Sequence, residues 1–302
     1  MSRKIRIGTR DSKLALWQAN YIQMKLKING VESELVLIKS DGEQNLTTPL
    51  YEMGVQGIFT RALDISLLQN KIDIAVHSLK DVPTQIADNL TLAAVPQRGN
   101  FKDVLVYKEK IPQDSLNYVV ATSSLRRSAQ WLHRYKIHQT TILRGNINTR
   151  LAKLHENRTW DAALFAAAGI ERINLDVPNM IELDWMIPAP AQGALGIISR
   201  IDDFEINQIC KLLEHPQTRI TCGFERKFLR KLMGGCSMPI GGLAQVINNQ
   251  LYFKGCVLTI DGKKMSYVEV CGSENNIEVL LEEAVGNLIE DGGGEIIKTF
   301  KN

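Results

Sequence analysis

IPAPAQGALGIISR, residues 187–200, begins as a segment whose prolines and glycine oppose regular structure and ends as a strand. A chain that passes through such a segment and then enters a sheet is crossing from one body to another. Pro96 and Gly99 mark an earlier break of the same kind, with a second unit starting near 98–104. Two crossings describe a bilobal protein with a central cleft.

Around the crossings, strand and helix signals alternate. Ile5 and Ile7 alternate with charged residues until Gly8 and Thr9 interrupt, a short strand and a loop. Leu14, Trp17, Tyr21, Met24 and Ile28 recur at helical spacing and predict an amphipathic helix ending near Asn29-Gly30. ELVLI at 34–38 reads as a strand, and DGEQNLTTPLYEMGVQG at 41–57 as an aperiodic loop. Phe59, Ala62, Leu63 and Leu67 mark a helix, and IDIAV at 72–76 a strand that runs into HSLKDVP, where Pro83 stops it. YVVATSSLRR at 118–127 is a strand followed by a helix start capped by Ser123 or Ser124. TTILRGNINTRLAKLHE at 140–156 repeats the theme, and DAALFAAAG at 161–169 is small and buried. The pattern then changes. A helix around 217–232 precedes three strands, LAQVI, LYFKGCVLTI and MSYVEVC, then a helix at 278–290 and, after Gly292–Gly294, a final short strand. That last part reads as α+β.

Whole-chain numbers mainly exclude. With 302 residues, 44% hydrophobic and 23% charged, general disorder is ruled out. No stretch approaches the roughly 20 apolar residues that span a bilayer, so no membrane partner is expected. Charges in MSRKIRIGTRDSKLALW precede any apolar run, so no secretory signal is expected. The cysteines at 210, 222, 236, 256 and 271 are odd in number and form no CxxC, which fits a reduced, cytoplasmic protein without a disulfide framework or zinc site. There is no HExxH, GxGxxG or P-loop.

The net charge of +3 hides a local anomaly. From Ser115 to His155 lie seven bases (Arg126, Arg127, Arg134, Lys136, Arg144, Arg150, Lys153) and no acid. Arg126, Arg127, Arg144 and Arg150 stand at helix starts, where unpaired N–H groups and the dipole already favour anions. Three readings are open: a solvated basic face, a nucleic-acid surface, or a site for a compact polycarboxylate. No aromatic interleaving supports nucleic acid. Arg10, with Ser12 capping the next helix, is a second anion contact or a surface arginine. Lys80 and Asp81 follow the IDIAV strand, where α/β proteins place ligand sites. An acid there stabilises a cation, moves a proton, or caps the turn before Pro83. His77 reads as a buried, satisfied histidine rather than a base, and Trp131, Trp160 and Trp185 as packing. Cys236, in Gly234-Gly235-Cys236-Ser237-Met238-Pro239, is either a nucleophile on a tight loop or an inert loop residue. The other four cysteines read as small hydrophobes.

IGTRDSKLALWQA, DIAVHSLKDVP, ATSSLRRSAQ, LRGNINTRL, AQGALGI and ERKFLRKLMGGCSMPIG, in this order over nearly the whole chain, resemble segments of the porphobilinogen deaminase (hydroxymethylbilane synthase) family. The resemblance implies an α/β fold: two periplasmic-binding-protein-like lobes with a double crossover plus a small C-terminal α+β domain. It divides the chain into domain 1 (1–96 and 190–214), domain 2 (97–189) and a cofactor-bearing domain 3 (215–302). It implies a transferase of tetrapyrrole biosynthesis, in which a dipyrromethane cofactor joined to Cys236 by a thioether primes the stepwise addition of four porphobilinogens. Loss of ammonia gives an electrophilic azafulvene, a pyrrole α-carbon attacks it, and hydrolysis releases linear hydroxymethylbilane. Arg10, Arg126, Arg127, Arg144, Arg150 and Arg172 would pair with carboxylates, helped by Ser123, Ser124 and Gly145. Asp81 would hold pyrrole N–H groups and stabilise positive charge, Lys80 would hold a cofactor carboxylate, and Gln192 would line the cleft. No metal and no nucleic acid are implied, the chain would be a monomer, and its product would pass to uroporphyrinogen-III synthase. One departure stands out. The family loop reads close to GGKG, whereas here Gln56 follows Met53-Gly54-Val55, and Glu52 replaces a common base. The expectation is weaker binding, compensation by a base such as Arg61, or a degenerate, non-catalytic anion-binding relative.

Overall fold

The computed structural model describes residues 3–39, 60–109, 117–232 and 238–300. The described residues divide into two compact units, one holding 3–39, 60–99 and 193–220, the other 100–109, 117–192, 221–232 and 238–300.

In the first unit β1 (Ile5–Thr9), α1 (Lys13–Ile28) and β2 (Ser33–Leu37) form a strand-helix-strand crossover. Ser12 caps α1 by accepting from the Ala15 N–H at 3.3 Å, as its position before Lys13 predicts. Next come α2 (Arg61–Leu68), β3 (Ile74–Ser78), a 3₁₀ turn over Leu79–Asp81 and β4 (Leu90–Ala94). The expected strand at 72–76 therefore starts two residues later and includes His77.

The second unit begins with β5 (Asp103–Tyr107), β6 (Val119–Ala121), α3 (Leu125–Arg134), β7 (Gln139–Thr141) and α4 (Ile147–Glu156). β8 (Ala162–Ala166), α5 (Ala167–Arg172) and β9 (Met180–Glu182) complete its first sheet. The chain then supplies β10 (Leu195–Arg200) and α6 (Phe204–Lys211) to the first unit, followed by α7 (Pro216–Lys231).

The two five-stranded sheets share one topology. Their orders are β2-β1-β3-β10-β4 and β7-β6-β8-β5-β9. In each, three parallel strands are followed by one antiparallel strand that has crossed from the other unit's chain segment: β5 on the way out, β10 on the way back. This is the double crossover. Ile5, Ile7, Ile22, Leu26, Ile74 and Ile197 are fully buried between the first sheet and α1. Val104, Val106, Phe165 and Leu154 bury one face of the second sheet; Leu105, Val120, Leu164 and Trp131 bury the other.

A third, antiparallel sheet contains β11 (Ile240–Ile247), β12 (Gln250–Leu258) and β13 (Met265–Ser273), covered by α8 (Ile277–Leu288). Its compact unit includes α3, because Ala129 and Ile187 pack on Cys256 and Leu258. The Gly262 turn joins in: its φ of +68° needs glycine, and a Cβ there would lie 2.5 Å from the Ala129 carbonyl oxygen. Described residues from 100–189 and from 221–302 share this compact unit.

Two expectations are corrected. The segment after the glycines is α9 (Gly294–Lys298), not a strand; Ile296 and Ile297, about 100° apart around the helix, are both buried, whereas adjacent strand residues point to opposite faces. Cys210, Cys222 and Cys256 are buried, but Cys271 is exposed, because β13 alternates Val268 and Val270 inward with Tyr267, Glu269 and Cys271 outward. β4, β9 and α6 lacked a strong pattern in the sequence. No helix among the described residues is long and apolar enough to cross a membrane.

Candidate active site

The carboxyl ends of β1 and β3, which run parallel, form one edge of the first sheet. Arg10 follows β1 directly, and the register that pairs Gly8 with Ala75 continues to the level of His77. Thr9 Oγ1 donates to the Ala15 carbonyl at 3.0 Å and folds the connection onto α1. Gln18 Nε2 donates to Ser78 Oγ at 2.8 Å, tying α1 to the end of β3. The 3₁₀ turn then turns Lys80, half-buried, and Asp81, exposed, out of the strand. Arg10, His77, Lys80 and Asp81 therefore share one edge. His77 is buried, as expected, but not satisfied: its Nε2 has no hydrogen-bond partner among the described residues. Burial, and then the charge of Arg10, pull its pKa down to about 4, so the ring is neutral near pH 7.

The second unit repeats this plan at the ends of β6 and β7. Ser124, not Ser123, caps α3, accepting from the Arg127 N–H at 3.4 Å. Ser123 Oγ instead donates to the Leu143 carbonyl at 2.6 Å and joins the two loops. Asn146 caps α4 by accepting from the Thr149 N–H at 3.0 Å. Gly145, at φ +119°, makes the turn into that helix, and Arg150 Nε donates to its carbonyl at 2.7 Å. Arg144 and Arg150 are half-buried at this edge, and Arg172 lies at the end of α5, which leaves β8 without a loop. Ser123, Ser124, Arg126, Arg127, Arg144, Gly145 and Arg150 are thus brought together around two helix N-termini, the anion-binding arrangement.

The basic run is less charged than its count. Arg126 and Arg127 are buried, and Asp103, from outside the run, bonds Arg126 Nη1 at 2.6 Å, Arg126 Nη2 at 3.1 Å and Arg127 Nε at 2.7 Å. Burial alone would raise the Asp103 pKa, but the charges of Arg126 and Arg127, with their hydrogen bonds, hold it well below the usual carboxylate range. Gln192, nearly fully buried, donates to Asp103 Oδ1 at 3.0 Å and to the Phe101 carbonyl at 2.8 Å. Asp103 went unnoticed in the sequence; the available signal was a charged residue opening the apolar strand DVLVY. Glu225 was missed as well. Fully buried on α7, it accepts from the Ala191 N–H at 2.5 Å and the Ala244 N–H at 2.8 Å, holding Ala191 at its unusual φ of +62°. Cys236, Glu52 and Gln56 lie outside the described residues, as does the 41–57 segment.

The family described as "Porphobilinogen deaminase, dipyromethane cofactor binding domain" matches residues 5–208, and "Porphobilinogen deaminase, C-terminal domain" matches 219–285. The chain belongs to the porphobilinogen deaminase family. It is, with that family, a transferase. Its relatives include the porphobilinogen deaminase of Pelotomaculum thermopropionicum, 40% identical over 99% of this chain and 97% of the relative. Those of Chloroherpeton thalassium and Shouchella clausii are 38% and 39% identical, with 98% and 99% of this chain and 98% of each relative covered. Among solved structures, the methionine-binding protein MetQ aligns over 71% of this chain and 91% of its own at 16% identity and a TM-score of 0.45.

Proposed function

We infer that this chain is a hydroxymethylbilane synthase of tetrapyrrole biosynthesis, joining four porphobilinogens head to tail on a dipyrromethane primer, and that Cys236 carries the primer. The observation that supports this best is that residues of the family pattern lie at the carboxyl ends of parallel strands in two mixed sheets, where α/β proteins bind ligands.

The donor set fits the primer. Porphobilinogen units carry acetate and propionate groups, and the second unit offers arginines at two helix N-termini, with Arg126 Nε buried and without a hydrogen-bond partner among the described residues. Pyrrole N–H groups need an acceptor, and Asp81 presents an exposed carboxylate. When bound, the dipyrromethane supplies the pyrrole α-carbon to which substrate is joined.

The chain's own groups then divide the work. Arg126, Arg127, Arg144, Arg150 and Arg172 hold carboxylates, with Ser123, Ser124 and the Gly145 backbone adding hydrogen bonds. Arg10 and Lys80 do the same at the first sheet. Asp81 accepts from pyrrole N–H groups, stabilises the cation that forms as the substrate's C–N bond breaks, and assists proton transfer to the departing amine. Gln192 acts through Arg127 and Asp103. Cys236 forms a thioether, which anchors rather than attacks a carbonyl.

The odd number of cysteines and the absence of a CxxC in the sequence are consistent with work in a reducing cytoplasm. There the enzyme acts as a monomer and passes its product to uroporphyrinogen-III synthase. The anchor is tested by reacting the purified protein with a pyrrole-aldehyde reagent. The wild type should give the coloured product and Cys236→Ser should not; colour in the serine variant overturns the assignment.

A further inference from the structure

Arg126 and Arg127 are adjacent on α3, so their side chains leave the helix roughly 100° apart. Adjacent helical residues do not share a face, and two such arginines converge only if something gathers them. The structure contains that group. Asp103 opens β5, is fully buried, and takes four donors: Arg126 Nη1 and Nη2, Arg127 Nε and Gln192 Nε2. Oδ1 takes three of these donors and Oδ2 the fourth, and the carboxylate is fully buried behind the side chains it holds. Its partners keep an orientation. Both Nη atoms of Arg126 are taken up by Asp103, and Nη1 also donates to the Ile187 carbonyl at 2.8 Å, while Nε has no hydrogen-bond partner among the described residues. Gln192 Nε2 also bonds the Phe101 carbonyl, so this carboxylate is fixed from both crossing segments.

We propose that Asp103 is a positioning residue for carboxylate recognition: it gathers Arg126 and Arg127 into one fixed receptor. This rests on the reading that these arginines hold substrate and primer carboxylates. The electrostatics agree with it. Two buried guanidinium groups repel each other, and one carboxylate between them leaves a net +1 that still attracts an anion. Being fully buried, Asp103 does not touch the ligand. Its influence passes through the arginines, and a mere structural ion pair would have no effect on ligand affinity.

The test uses the full-length protein prepared free of porphobilinogen and follows, by intact mass, the addition of pyrrole units as porphobilinogen is titrated in. Asp103→Asn should raise the half-saturating porphobilinogen concentration at least about tenfold, with a smaller change in the saturated loading rate. Asp103→Glu, which keeps the charge but moves it by a methylene, should recover part of the affinity. A purely structural role predicts less competent protein with wild-type half-saturation, and that result overturns the proposal. Should the asparagine variant not fold, Asp103→Glu decides: half-saturation above wild type supports positioning, and a wild-type value overturns it. Arg127→Gln and Arg150→Gln separate the two layers. If both load with wild-type half-saturation, the carboxylate reading itself fails. If both are weakened while the Asp103 variants are not, only the positioning role fails.

Discussion

Asp81 and His77 share the end of one strand and make opposite demands on their surroundings. Asp81 is exposed and can meet a ligand, and its role is electrostatic. Asp81→Ala should keep the primer mass yet lose roughly 100-fold or more in turnover, measured as hydroxymethylbilane formed; normal turnover would remove it from the catalytic set. His77 is buried with a folded-state pKa of about 4 against 6.5 in the unfolded chain. Between those values the unfolded chain binds the extra proton. Stability is therefore intact above pH 6.5 and falls as pH drops toward 4, by about 2 kcal/mol at pH 5 from this ring. Urea unfolding at pH 7 and pH 5 should show that loss in the wild type and a flatter response in His77→Gln; equal slopes would mean another group is responsible. The sequence alone made this histidine buried but could not reveal the missing partner, because satisfaction depends on which side chains surround the ring in space.

The helix starts were the most legible elements. Ser12, one of Ser123 and Ser124, and the LRGNINTR turn were readable because caps and turns are local chemistry. Gly145 shows how tight that chemistry is. A Cβ there would lie 2.7 Å from Thr149 Cγ2 and 2.9 Å from its Cβ, at a φ that side chains rarely adopt. Gly145→Ala should cost about 1–3 kcal/mol by urea unfolding and weaken porphobilinogen binding by shifting the α4 N-terminus; wild-type values for both would refute the tight turn. What was not legible is equally instructive. The acid-free run 115–155 looked like an undiluted basic site, yet its neutralising carboxylate, Asp103, comes from β5. The final strand was misplaced because two isoleucines before a chain end carry too little periodicity to separate strand from helix.

Over the whole molecule, the two crossings were visible as Pro/Gly-rich breaks, and the six motif segments carried the family. Strand order was not visible, because pairing β10 between β3 and β4 joins residues more than a hundred positions apart. The compact unit that includes α3 and the C-terminal sheet was hidden for the same reason: Ala129, Ile187, Cys256 and Leu258 meet only in three dimensions. At this scale the fold is a carrier for a covalent primer that it extends. Intact mass spectrometry of the purified wild-type protein, before and after porphobilinogen is added, tests it most directly. The purified chain should be heavier than its sequence by two pyrrole units, and porphobilinogen should add further peaks in single-unit steps. A mass equal to the bare chain that porphobilinogen leaves unchanged would contradict it.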